Sequence, residues 1–239
     1  MDVHQISMDC RRTEFVGTAV LDTIGLVIPS VNAELLDRMQ LPEDKRFPTL
    51  GLLTSRTGAA GQLTAVDDAI KATNATLVSV ELPRDTKGWG GHGNYIIIGS
   101  QDVSDARRAI SMALKLTNKY AGELYISEAG HLEFAYTANA GPVLQEVFGA
   151  RTNQAFGFFA GSPAAIGLVM ADTALKASNT EIVTYMTPNV GTSHSNEVIL
   201  AVSGTASAVK RAVLEARQVG LELLIAMGSY PECPGVSYL

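Results

Sequence analysis

The sequence predicts a layered α/β sandwich of the α+β kind, made of two tandem copies of one domain, each a four-stranded, mainly antiparallel sheet with helices on one side. Three observations lead there. First, the segment Asp67-Asp68-Ala69-Ile70-Lys71-Ala72-Thr73-Asn74 returns 105 residues later as Asp172-Thr173-Ala174-Leu175-Lys176-Ala177-Ser178-Asn179. From Ala65 to Pro83 that offset gives seven identities in 19 positions (Asp67, Ala69, Lys71, Ala72, Asn74, Val78, Pro83), where ordinary residue usage gives roughly one. Second, the match extends outward: Phe15-Val16-Gly17 faces Tyr120-Ala121-Gly122, Val31-Asn32-Ala33 faces Ala138-Asn139-Ala140, and Arg107-Arg108-Ala109-Ile110 faces Lys210-Arg211-Ala212-Val213. A repeat of this length carries its own core, so it is a duplicated domain and not a solenoid unit. Third, the hydrophobic period changes between strand-like and helix-like in the same order in both halves. The expected division is an N-terminal extension (1–14), a first domain (15–119), a second domain (120–228) and a C-terminal tail (229–239).

The elements of one unit follow in order. Residues 23–31 read as a buried strand, with the apolar run Ile24-Gly25-Leu26-Val27-Ile28 stopped by Pro29. Asn32 has the right chemistry to cap a short helix at 33–39, whose Leu35, Leu36 and Met39 recur at helical spacing. A strand at 49–54 leads through a turn containing Gly58 and Gly61 to the signature helix, with Thr64 as its expected cap and Val66, Ala69, Ile70 and Thr73 as its inward stripe. Strands at 77–82 and 94–99 precede a long helix at 104–119, where Ala106, Ile110, Ala113, Leu114 and Thr117 share one face and Asp102 and Asp105 charge its start. The second unit repeats this order from Leu124.

Composition narrows the function classes. Hydrophobic residues make up 46% and charged residues 18%, as in an ordinary folded domain. The longest apolar runs, 95–98 and 198–202, are far too short for a membrane span, and residues 1–12 lack the apolar centre of a signal peptide, so a cytosolic protein is expected. Cys10 and Cys233 sit one in each terminal segment and form no disulfide framework. A net charge of -6 leaves no basic footprint for nucleic acid. The run Gly88-x-Gly90-Gly91-x-Gly93 lies between two strands instead of opening a helix, and lacks a following Lys-Ser/Thr, so no nucleotide cofactor is expected. His92, His131 and His194 have no metal-ligand spacing and read as scattered surface histidines; no metal site and no catalytic triad emerge.

Asp67 with Lys71, and Asp172 with Lys176, stand four apart with the acid first, which favours an intrahelical ion pair on a solvated face. The small residues around each pair suit close approach by another subunit. The pattern Asp-x-Ala-Ile/Leu-Lys-Ala-Thr/Ser-Asn, followed by a strand, a loop, a strand and then Arg107-Arg108-Ala109 or Lys210-Arg211-Ala212, resembles the bacterial microcompartment shell domain. Two copies in one chain resemble the tandem-domain trimeric shell proteins, and a unit beginning with a strand and short helix resembles their circularly permuted branch. Glu81-Leu82-Pro83-Arg84-Asp85-Thr86-Lys87-Gly88, Gly91-His92-Gly93, and Gly191-Thr192-Ser193 with Ser195-Asn196-Glu197 are similar to shell proteins of propanediol and ethanol utilisation.

That resemblance implies a non-catalytic homotrimer: a pseudohexagonal tile in the shell of a bacterial compartment, packed edge to edge with other shell proteins. Asp67, Lys71, Asp172 and Lys176 would then lie at the tile edge. The pore loops would be Arg84, Asp85, Thr86, Lys87, Gly88, Trp89, Gly90, Gly91 and His92 in the first copy, and Gly191, Thr192, Ser193, His194 and Ser195 in the second. The first is charged and carries the chain's one tryptophan, which reads either as an anchor for its own loop or as a flap at the axis; the second carries no formal charge apart from a proton on His194. Small polar metabolites are the expected solutes. The N-terminal extension is expected to meet enclosed enzymes, and both terminal segments to be peripheral to the fold. The alternative of a different class is a soluble ring-forming protein that binds a polyol or nucleotide at its subunit interface.

Overall fold

In a computed structural model that describes residues 14–83, 92–190 and 195–239, the chain forms two five-stranded antiparallel sheets, each with its own pair of long helices. The first domain runs β1 (Phe15–Ala19), β2 (Thr23–Ile28), α1 (Ala33–Arg38), β3 (Thr49–Ser55), α2 (Ala60–Lys71), β4 (Thr76–Glu81), β5 (Asn94–Ser100) and α3 (Val103–Tyr120). The second runs β6 (Leu124–Ser127), β7 (Gly130–Thr137), α4 (Pro142–Phe148), β8 (Ala155–Ser162), α5 (Ala164–Ala177), β9 (Glu181–Met186), β10 (Val198–Gly204) and α6 (Ala206–Ala226). The sheet orders, β1-β2-β3-β5-β4 and β6-β7-β8-β10-β9, are the same pattern twice.

Each sheet has one strand more than the four expected from apolar periodicity. The additional members, β1 and β6, are short edge strands hairpinned onto β2 and β7, and β1 is nowhere fully buried, so neither produces the strong apolar run of an inner strand. Asn32 caps α1 as its chemistry suggested, accepting from the Leu35 amide at 3.2 Å. Thr64 does not cap the signature helix. That helix starts one turn earlier, at Ala60, and the Thr64 hydroxyl is spent on the Ala60 carbonyl at 2.8 Å. Asp102 occupies the N-cap position of α3 without a side-chain capping bond.

Three glycines in strands explain how closely the helices approach. A Cβ on Gly51 would meet Ile110 of α3 at 2.8 Å, and one on Gly157 would meet Val209 and Val213 of α6 at 2.8 Å. Gly25 admits Ile110 and Leu114 in the same way. Bare backbone at these points lets the long helices lie against the middle of each sheet.

The two domains share a core. One continuous cluster joins Leu63, Val66 and Ile70 of α2 to Val143, Leu144 and Phe148 of α4, and to Ala135, Phe156, Phe158, Ala160 and Ile199 on one face of the second sheet. The other face of that sheet, with Leu132, Phe134 and Phe159, packs on α5 and α6. A helix of the first domain therefore lies in the core of the second.

The C-terminal tail is not peripheral as expected. The backbone of Glu232 pairs with Ile126 (2.8 and 2.7 Å), closing the outer edge of β6. Tyr238 reaches the Tyr136 amide at 2.9 Å and meets the Tyr120 ring edge to face at 5.0 Å. The amides of Tyr238 and Leu239 lie 2.9 and 3.4 Å from Glu123, a fully buried carboxylate that also holds Arg217 at 3.0 Å. Short polar segments conceal such docking, because a few backbone amides and single side chains such as Tyr238 make the attachment without any apolar period.

Candidate functional site

Most of the expected pore positions, Arg84 to Gly91 and Gly191 to His194, fall outside the described residues, Trp89 among them. His92 and Ser195, which close the two segments, are both buried. What the described residues bring together is the joint between the domains, and it contains both anticipated and unanticipated side chains.

Asp67 is not on a solvated face. It is wholly buried, and its carboxylate accepts from the amides of Gly141 (2.8 Å), Val143 (3.0 Å) and Leu144 (3.3 Å), the N-terminus of α4 in the second domain. That helix starts at Gly141 and Pro142 with no cap of its own. A carboxylate from across the joint satisfies its orphan amides and faces the positive end of its dipole. Lys71 completes the arrangement: its ammonium lies 3.1 Å from Asp67 and 2.8 Å from Asp68, and donates to the Asn139 carbonyl at 2.9 Å. Partial burial disfavours the Lys71 charge, but the two aspartates more than compensate, and the ammonium is held above its ordinary range. Burial also raises the Tyr120 hydroxyl above its ordinary range, reinforced by Asp68.

A reciprocal contact runs the other way. Glu133 of β7 points into the first domain, and one of its oxygens accepts from the amides of Ala59 and Ala60, each at 2.8 Å, capping α2. Burial pushes its carboxyl up, partly offset by those two amides. Each domain thus supplies the cap for a helix of the other. Nothing in the sequence distinguished Glu133 except its position as a lone acid in an apolar strand, a placement that calls for a buried partner.

Beside Glu133 lies a second polar group. Glu197, just ahead of β10, is buried with its two oxygens facing two imidazoles: His92 Nδ1 at 2.6 Å and His131 Nε2 at 3.0 Å. Burial alone would raise the Glu197 carboxyl, but contact with His131 and His92 pulls it down to about 2. His92 and His131 are therefore not the scattered surface histidines expected from their spacing; they are buried and meet at one carboxylate. Only folding could reveal this, since 39 residues of chain separate them. Among the described residues no group of three or more His, Cys, Asp or Glu side chains is arranged to hold a metal ion.

The second copy of the signature pair is in a different situation. Asp172 and Lys176 pair with each other at 2.6 Å, with 59% and 75% of their side chains exposed. The helix that carries them also exposes Leu168 and Val169. In the first copy the corresponding Leu63 and Thr64 are buried.

Known proteins share this sequence and this two-domain fold. The sequence matches the BMC domain family over residues 49–129 and 155–231. It is 50% identical over 230 residues to the bacterial microcompartment shell protein PduB of Citrobacter freundii, covering 96% of this chain and 84% of that protein. The fold superposes with a TM-score of 0.91 on the crystal structure of a trimeric bacterial microcompartment shell protein PduB, 45% identical, over 95% of this chain and all of that one (100%). The same score, 0.91, is obtained with EtuB from Clostridium kluyveri at 43% identity, covering 96% of this chain and 100% of that one. No helix among the described residues is long and apolar enough to cross a membrane. With both repeats matched and the full two-domain architecture reproduced, the chain belongs to the BMC-domain family of bacterial microcompartment shell proteins.

Proposed function

We propose that three copies of this chain close head to tail into a flat ring of six domains, a pseudohexagonal tile of a microcompartment shell. The observation that carries this reading is the unequal burial of two equivalent helices. Leu63 of α2 is 0% exposed beneath the second domain, whereas Leu168 of α5, the same position in the repeat, is 52% exposed. Thr64 and Val169 differ likewise, at 1% and 44%. Apolar side chains left open where the duplicate is covered indicate a missing neighbour of the same shape.

The receiving surface is present on the same chain. Gly51 pairs with Val27 and Gly157 with Tyr136, so Ile24 and Leu26 of β2 stand where β7 has Glu133 and Ala135. These positions alternate with the buried Thr23, Gly25 and Val27 and are half-exposed. A second copy that sets its α5 against this strand repeats the joint already found within the chain. Six such steps of 60° close a ring, and duplication reduces them to three copies. The trimeric PduB relative supports the same stoichiometry.

In such a tile Lys71 and Lys176 would lie toward the rim, against neighbouring shell proteins. Segments 84–91 and 191–194 would surround the axis and pass small polar metabolites, with His92 and Ser195 buried behind them, and the N-terminal extension would meet enclosed enzymes. The role is structural and non-catalytic. Sedimentation velocity tests it: the wild-type chain is expected to run as a trimer, and Leu168→Asp with Val169→Asp as a folded monomer. A wild-type monomer, dimer or hexamer, or a variant that remains trimeric, would overturn the reading.

A further inference from the structure

We propose that the second domain binds a short hydroxycarboxylate in a cavity that the first domain fills with its own side chains. The cavity has a volume of about 560 Å³, and its polar lining includes Asn153, Gln154, Asn179, Glu181, Ser203 and Thr205. Its walls come from the starts of β8, β9 and α6 and the end of β10. The site therefore belongs to one domain and does not depend on how copies assemble.

Strand register identifies the matching place in the first domain. Gly99 pairs with Thr76 as Ser203 pairs with Glu181, and the carbonyls of Pro48 and Gln154 accept from the amides of Val31 and Ala140, each at 2.9 Å. Gly99 thus corresponds to Ser203, and Phe47 to Asn153. In the first domain the Phe47 ring lies so close over Gly99 that a Cβ there would meet it at 2.1 Å, and it packs against Leu50, Val78 and Ile97. In the second domain Asn153 is exposed, with a left-handed backbone at φ 60°, so no ring covers Ser203. That hydroxyl is wholly buried. It accepts from the Arg151 amide at 3.1 Å and keeps its own proton to donate to a ligand oxygen.

The carboxylate is the other half of the difference. Asn74 donates to Asp105, in the first turn of α3, at 3.2 Å. Asn179 is the same residue of the repeat, but the helix position of Asp105 is taken in α6 by Ala208, which offers it no acceptor. The first turn of α6 carries no acid, and Thr205 makes no side-chain capping bond. Asn179 and the leading amides of α6 are therefore the donors that a bound carboxylate satisfies, as Asp105 does for Asn74. Glu181, the acid in the lining, is engaged by Arg151 at 3.1 Å, which offsets its repulsion of an anion. A carboxylate at Asn179 and a hydroxyl at Ser203 together define the class of ligand.

Ligand-observed NMR on the full chain, at constant ionic strength set with chloride, provides the test. Glycolate carries both groups, acetate the carboxylate alone and ethylene glycol the hydroxyls alone. Glycolate is expected to bind with a dissociation constant of about 5 mM, acetate several-fold more weakly and ethylene glycol not measurably. Asn179→Ala is expected to weaken glycolate about tenfold. Ala208→Asp builds into the second domain the carboxylate that the first already has, and is expected to abolish binding; an acid in a first helical turn favours the fold. Asp105→Ala in the first domain, where Phe47 still fills the space, is expected to leave glycolate binding unchanged. Absence of glycolate binding by the wild type, equal binding of ethylene glycol, or binding that survives both Asn179→Ala and Ala208→Asp would overturn the proposal. Acetate binding as tightly as glycolate would overturn the contact with Ser203.

Discussion

Asp67 has no solvent contact, while Asp172, its counterpart 105 residues on, leaves 59% of its side chain exposed. Their free energies should differ accordingly. Asp67→Ala removes a three-amide cap and leaves Lys71 without its closest buried acceptor, at a cost of about 2 kcal/mol in folding stability. Asp172→Ala removes only an exposed ion pair and should cost less than about 0.5 kcal/mol. Both are best measured by denaturant unfolding in the Leu168→Asp, Val169→Asp background, where assembly contributes nothing. Equal effects would show that the carboxylate contacts across the joint carry no net energy. Spacing revealed the two Asp-Lys pairs but not their different environments, because an i, i+4 pattern specifies a helix face and not what covers it. Glu197 adds an acid limit of its own. Its carboxyl lies below the ordinary value of 4.5 in the folded chain, so its contribution is complete above that value and is lost as pH falls from 4.5 toward 2.

Among the elements, helices and inner strands were the most legible in the sequence, since Ala106, Ile110, Ala113 and Leu114 or Ile96 and Ile98 are buried by the same periodicity that marks them. Edge strands, the start of α2 and the tail were not. The α2 start has no capping side chain of its own, because Glu133 supplies the cap from 73 residues away. The tail is held by its backbone amides, to the Ile126 backbone and to the Glu123 carboxylate, which leave no trace in composition. Deleting residues 231–239 removes at least three such hydrogen bonds at about 1 kcal/mol each. The melting temperature should then drop by roughly 6 to 12 °C, since a chain of this size shifts about 2–4 °C per kcal/mol. Unchanged melting would mean that the tail rests on the second domain without stabilising it.

At the scale of the whole molecule, duplication has not produced two independent units. One apolar cluster runs from α2 through α4 to the second sheet, so removal of either half would expose that cluster. Calorimetry on the monomeric variant should accordingly record one transition with equal calorimetric and van't Hoff enthalpies. Two resolved transitions would show that the halves melt separately. The repeat itself disclosed the pairing of domains, but not which of its two surfaces is permanently occupied. That difference would give the proposed tile a grain. In the proposed ring of six domains, three of the six radial seams would be the joint found within one chain, with its common core and mutually capped helices, and three would lie between separate chains. A tile under strain has a built-in line of cleavage: it should part along alternate seams into whole protomers, each able to rejoin, and never into single domains.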